Sequence, residues 1–312
     1  MPLPDGYTVR HPTDTDAPAA QAVLDAAETH DTGEPRRHDD DLATVWRDPD
    51  CDLARNWWLI SARKEEVVAV AWVWPEMAGE VMAEHYVRPD HRGRGLGAVL
   101  LDVIELRTSE LPSTTRVGAS HLVVWCEDRD GGRRDELDAR GFEPERQYYE
   151  MAIDLGKPFP PARWPRGIRP RGYRPEADER RLYDADEEAF AEHFLFESIS
   201  PEQWRLHFLE ASGSDPTLWW LAWDGDELAG FVIPAAEEHG AVIREFAVRR
   251  PWRGRGIGRA LLATAFTTLR DRGETIVRLF VDVQNVTDAL RVYEAAGMRV
   301  SRRFDVMQKP LS

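Results

Sequence analysis

The chain has 312 residues, 42% of them hydrophobic, with 12 tryptophans and a formal charge of −16, which is length and apolar content for about two domains with sizeable cores. An acidic balance with no basic run argues against nucleic acid as a partner. Cys51 and Cys126 are too few for a disulfide framework or a cysteine-rich metal site, and no apolar run approaches the ~20 residues that span a bilayer.

The first six residues lack a charged-then-apolar leader, so a soluble cytoplasmic protein is expected. Lysine stands only at Lys64, Lys157 and Lys309 while arginine is abundant, as in a GC-rich bacterial genome. In chain order, 7–10 reads as a short strand. A helix starts at Asp16-Ala17-Pro18, with the aspartate as N-cap and the proline in the first turn. Residues 32–41 are polar and read as loop, followed by a short helix to Trp46. Strands are expected at 57–62 and 67–74, joined by the charged turn 63–66. Strand 81–88 leads into Arg92-Gly93-Arg94-Gly95-Leu96-Gly97. Helix 96–106 follows, with Leu96, Val99, Leu100, Val103 and Ile104 on one face. Strand 121–125, helix 133–140 ended by Gly141, and the extended stretch 148–155 complete a first domain, 1–155.

Residues 156–166 read as a linker, with four prolines between Lys157 and Pro165 that suit a stiff spacer. The same order then recurs across a second domain, 167–312. It has strand 168–174, helices 178–192 and 201–210, the latter capped by Ser200, and a hairpin across Asp224-Gly225-Asp226-Glu227. Strand 241–248 leads into Arg253-Gly254-Arg255-Gly256-Ile257-Gly258, then come helix 257–272, strand 276–283, helix 285–296 ended by Gly297, and extended residues 298–308. The matched flanks, Glu84 with Glu245, Val87-Arg88 with Val248-Arg249 and Asn56-Trp57-Trp58-Leu59 with Leu218-Trp219-Trp220-Leu221, mark a duplicated domain rather than a solenoid repeat.

A glycine-rich turn opening a helix exposes backbone N–H groups at the positive end of a dipole and suits a phosphate or pyrophosphate. Arg253, Arg255 and Arg259 add charge there. The stretch lacks the Lys-Ser/Thr of a P-loop and the Gly-x-Gly-x-x-Gly of a dinucleotide turn. It resembles instead the acyl-CoA signature of the GCN5-related N-acetyltransferases, Arg/Gln-x-x-Gly-x-Gly/Ala, with Arg253, Gly256 and Gly258 in its fixed places and Arg92, Gly95 and Gly97 matching in the first half. The resemblance covers nearly the whole chain.

That resemblance implies an α/β fold with two tandem domains, each a mixed, mostly antiparallel sheet whose two central strands splay apart. It implies acetyl-CoA as co-substrate, no metal, and acetyl transfer to a primary amine of a small molecule by direct attack. The cofactor residues carried over are Phe246, Ala247, Val248, Arg253, Gly254, Arg255, Gly256, Ile257, Gly258, Arg259 and Asn285, and in the first half Val87, Arg92, Gly93, Arg94, Gly95, Leu96 and Gly97. Tyr293 matches the family tyrosine that protonates the coenzyme thiolate, with Met298 replacing the usual phenylalanine. Glu245 is the candidate base, and strand alternation sets it opposite Phe246 and Val248. A strand-end N–H such as that of Val248 suits the oxyanion. Phe194, Phe196 and Glu197 lie where relatives line the acceptor pocket.

Aligning Gly141 with Gly297 puts Leu137 and Arg129 where Tyr293 and Asn285 stand, so catalysis is expected in the second domain and a scaffolding or merely acyl-CoA-binding role in the first. Two-domain members such as mycothiol synthase, which acetylates the cysteinyl amine of a sugar conjugate, share this asymmetry. A protein-lysine acetyltransferase and a non-catalytic acyl-CoA sensor remain alternatives, and either a monomer or a homodimer fits.

Overall fold

The computed structural model describes residues 3–33, 42–47, 51–63, 65–77, 80–111, 120–191, 196, 198–211, 213–237, 240–284 and 289–311. They form two compact units, Met1–Gln147 with Phe304–Ser312, and Tyr148–Arg303. Among the described residues no helix is long and apolar enough to cross a membrane.

The elements run β1 (Thr8–Arg10), α1 (Ala17–Thr32), α2 (Leu42–Val45), α3 (Leu53–Asn56), β2 (Trp57–Ser61), β3 (Val67–Met77), β4 (Glu80–Val87), α4 (Leu96–Glu110), β5 (His121–Glu127), α5 (Gly131–Asp138) and β6 (Glu143–Asp154). They continue with β7 (Ile168–Gly172), α6 (Glu179–Phe190), α7 (Pro201–Phe208), β8 (Trp220–Asp224), β9 (Glu227–Glu237), β10 (Gly240–Val248), α8 (Ile257–Asp271), β11 (Ile276–Asp282), α9 (Ala289–Ala296) and β12 (Arg299–Pro310).

In the first unit the strands follow one another antiparallel from β1 to β4, β5 joins β4 in parallel, and Phe304–Pro310 of β12 pairs antiparallel with β5. The apolar face of α4 packs with Val68, Ala71 and Val124. Ala20, Val23 and Leu24 of α1 pack with Trp57, Leu59 and Trp72. The second unit repeats this plan from β7 to β11, with β10 and β11 parallel, and Tyr148–Asp154 of β6 closes it against β11. Each sheet is thus mixed and mostly antiparallel, as expected.

The domain limits differ from those expected. Residues 148–154, assigned to the first half, belong to the second unit, and 304–310, assigned to the second half, belong to the first. Period-2 alternation tells that a segment is extended but not which sheet edge receives it. The proline-rich stretch is likewise no free spacer. Phe159 meets Phe266 edge-on at 5.8 Å and Arg270 lies over its ring, so this stretch packs on the second unit. Ser200 caps α7 as expected, accepting from the N–H of Gln203 at 3.2 Å while Gln203 accepts from the Ser200 N–H at 2.9 Å. Asp16 does not cap α1. Its carboxylate holds Arg10 at 2.7 and 2.8 Å instead.

Candidate active site

The site begins with a local register change. Ile243 pairs with Pro234 and Glu245 with Ile233, so Arg244 is an extra residue in β10. This β-bulge reverses the faces of the odd-numbered residues. Ile243 stays in the core, whereas Glu245 turns to the face opposite Phe246 and Val248. Parallel pairing of β10 with β11 ends after Ala241–Val277 and Val242–Arg278, so the two strands part towards Val248. A cavity of about 760 Å³ opens there, lined by β10 from Ile243 to Val248, the turn from Arg253 to Arg259, Leu279–Asp282 of β11, and Tyr293 of α9.

The turn is built for close approach of a ligand. Gly254 and Gly256 have φ of +73° and +84°, a region costly for residues with a Cβ. A Cβ at either would meet nothing within 4 Å, so the protein leaves that space open. The first helical hydrogen bond of α8 runs from the Ala260 N–H to the Gly256 carbonyl, which leaves the N–H groups of Ile257, Gly258 and Arg259 without helical acceptors. Gly258 serves packing instead. A Cβ there would sit 3.0 Å from Phe246 Cζ and 3.3 Å from Val292 Cγ1. Arg253 Nε donates to the Val248 carbonyl at 2.9 Å and fixes the turn to the strand end. Arg255 and the Trp252 indole both donate to Asp224, at 3.2 and 3.0 Å. Arg259 is exposed and makes no ion pair among the described residues.

Tyr293 is 7% exposed, packs against Phe246 at 5.7 Å between ring centroids, and its hydroxyl makes no hydrogen bond among the described residues. Burial, and secondarily the nearby Glu245 carboxyl, push its ionisation upward, so it stands in the cavity wall as a neutral phenol with a proton to donate. Glu245 is half-buried and has no ion-pair partner among the described residues. Burial first, then the negative charge of Asp186, raises its carboxyl well above the usual carboxylate range. Asp186 on α6 is itself pushed up to about 7, chiefly by burial, against the pull of its hydrogen bond from Trp204.

That shift has a consequence for folding. The folded state holds the Asp186 proton across the window from the unfolded carboxylate value, ~4, to about 7, so stability falls as pH rises through it. Asp186→Asn flattens this decline in denaturant midpoints measured across the window. An unchanged slope means another group carries it.

Sequence reasoning did not find Tyr148, Ala189, Phe190, Phe280 or Asp282, all of which line the cavity. Alternation along β11 points to Phe280, but Tyr148 comes from the other half of the repeat and carries no local signal. Phe196 is half-buried and does not line the cavity. Phe194, Glu197 and Asn285 lie outside the described residues.

The first unit keeps the turn, and a Cβ on Gly93 would likewise meet nothing within 4 Å. Gly93 and Gly95 have φ of +72° and +78°, and Arg92 Nε again donates to a strand-end carbonyl, that of Val87. Both terminal nitrogens of Arg92, however, are held by Asp31 at 2.6 Å, and Arg94 donates to Tyr7. A Cβ on Gly97 would collide with the Glu136 carboxylate, which packs there from α5 as Val292 of α9 packs against Gly258. Glu84 accepts from Arg133 at 2.6 Å and from Tyr86 at 3.0 Å, and the Arg133 guanidinium also covers the Tyr86 ring. Leu137, at the place of Tyr293, is fully buried.

A glycine turn open to an anion, at the end of a parted parallel strand pair, beside a neutral phenol and a carboxyl, defines an acyl-transferring enzyme of the α/β class. The chain belongs to the acetyltransferase (GNAT) family, whose model matches residues 21–123 and 179–298, and is an N-acetyltransferase. The mycothiol acetyltransferase of Catenulispora acidiphila is 29% identical over 96% of each chain. That of Geodermatophilus obscurus is 32% identical over 71% of each. Among solved structures, a GCN5-related N-acetyltransferase from Sphaerobacter thermophilus is 32% identical with a TM-score of 0.84, covering 99% of this chain and 97% of that one. A tandem GNAT protein from the clavulanic acid biosynthesis pathway, 16% identical with a TM-score of 0.68 over 98% and 99% of the two chains, shares the fold.

Proposed function

We propose that the second unit transfers an acetyl group from acetyl-CoA to a primary amine of a small molecule by direct attack. The observation that carries this reading is the single cavity that joins the open glycine turn to Tyr293 and Glu245. The N–H groups of the turn, with Arg259 beside them, would hold the pyrophosphate; when bound, acetyl-CoA supplies an acetyl group activated as a thioester. Glu245 takes a proton from the amine, which frees its lone pair for attack. Arg249 donates its N–H to Ala229 of β9, so ladder alternation aims the Val248 N–H to the unpaired side, where it serves the developing oxyanion. Tyr293 keeps its proton until the sulfur departs as thiolate. Free-thiol release from acetyl-CoA, followed against a panel of small amines and lysine peptides, tests the reading. No release with any amine, despite acetyl-CoA binding, refutes it.

The mycothiol acetyltransferases that align over most of the chain favour the cysteinyl amine of a sugar conjugate as acceptor, and that compound belongs in the panel. The first unit is read as non-catalytic, because Arg133 neutralises Glu84, Asp31 holds Arg92 and Leu137 stands in the place of Tyr293. Titration calorimetry with acetyl-CoA then gives one site per chain. Two sites would show that the first turn also binds.

A further inference from the structure

We infer that Phe280 is a specificity-determining residue, an open aromatic platform in the cavity that selects amines carried on a ring. The inference rests on the reading of the second unit as an amine-acetylating site.

Strand register fixes the side of the sheet on which Phe280 stands. Paired residues share a side, so Val242 and Arg278 lie on one and Ala241 and Val277 on the other. Alternation along β11 carries Phe280 and Asp282 to the side of Arg278, and pairing adds Tyr148 of β6, opposite Asp282. On β10, Ile243 pairs with Pro234 and Phe246 with Val232, two apart on β9. Ile243 and Phe246 therefore share the side of Ala241, and Glu245 takes the side of Phe280. Glu245, Phe280, Asp282 and Tyr148 all line the one cavity. An amine that reaches Glu245 from this side passes the Phe280 ring.

Exposure sets Phe280 apart. Its neighbours Leu279 and Val281 are 2% and 5% exposed, whereas Phe280 is 52% exposed. No other aromatic side chain among the described residues is exposed. The first unit shows the same strand position covered. Val81 pairs with Leu122 as Ala241 pairs with Val277, which sets Trp125 in the place of Phe280. Trp125 is half-buried and meets the Phe304 ring edge-on at 6.3 Å. Tyr86, two residues beyond Glu84, stacks on Trp72 at 5.9 Å, whereas the second unit has the small Ala247 two residues beyond Glu245. The second unit thus keeps room on this side where the first fills it with aromatic rings.

A large apolar ring held open to water inside a cavity marks a ligand contact. The face of a phenyl ring is its negative side, and it attracts the C–H groups of a saturated ring or the edge of an aromatic one. A ring laid on that face makes many contacts at once and has few bonds to freeze, whereas an open chain loses freedom on ordering. The platform therefore favours a ring over a chain of equal size.

The test compares cyclohexylamine with n-hexylamine, which match in carbon number and basicity and differ in the ring. Calorimetry on the full chain with CoA bound is expected to give about tenfold tighter binding of cyclohexylamine. Phe280→Ala abolishes the preference, and Phe280→Trp, which keeps a platform, restores it. Thiol release from acetyl-CoA then places the loss in KM rather than in kcat. Equal affinity for the two amines in wild type, binding of neither, or a preference that survives in Phe280→Ala overturns the inference. Ring-selective binding with no thiol release from either amine would instead strike the acetyl-transfer reading and leave Phe280 as the platform.

Discussion

Tyr293→Phe lowers kcat about 10²–10⁴-fold, the range expected for loss of a general acid, and leaves the Kd for acetyl-CoA unchanged. The ring contact with Phe246 survives in the variant, so the packing of α9 on β10 is kept and only the proton is removed. The phenol suits this role because burial keeps it neutral at all physiological pH values, whereas a thiolate leaving unprotonated faces a wall that already holds a carboxyl. Turnover within twofold of wild type in stopped-flow thiol release would remove Tyr293 from the chemistry.

Gly256→Trp raises the Kd for acetyl-CoA by about 10²–10⁴-fold, whereas Gly95→Trp leaves it near wild type. The first substitution fills the open space above α8 and forces a bulky residue to φ of +84°. It displaces the ligand from N–H groups whose charge-assisted hydrogen bonds are worth about 1.5–3 kcal/mol each, so two lost bonds account for the range. Gly95 has the same backbone geometry, but Arg92 is held by Asp31 and Arg94 donates to Tyr7. The two variants share the same strain and differ only in whether a ligand uses the turn. Equal losses in calorimetric titration would show that a ligand uses both turns.

Much of this site is legible in the sequence. Glycine at positive φ, the strand before it and the amphipathic helix after it are local chemistry, so the turns at Arg92–Gly97 and Arg253–Gly258 declare themselves. The duplication, the element order and the tyrosine replaced by Leu137 in the first half follow from one-dimensional matching. The face of Glu245 was correctly anticipated relative to Phe246, yet the bulge at Arg244 that reverses the strand faces leaves no mark in the pattern.

What the sequence by itself determined is therefore the set of elements, their repetition and the chemistry of each turn, because these depend on dihedral preference and periodicity over a few residues. Tertiary structure alone decided that 148–154 and 304–310 each complete the unit opposite to their half of the sequence, since strand pairing is chosen by whichever edge is free and not by propensity. It alone set Arg133 of α5 against Glu84 of β4 in the first unit. Burial and charge act through space, and a residue's effect on its neighbour is set by that distance rather than by separation along the chain.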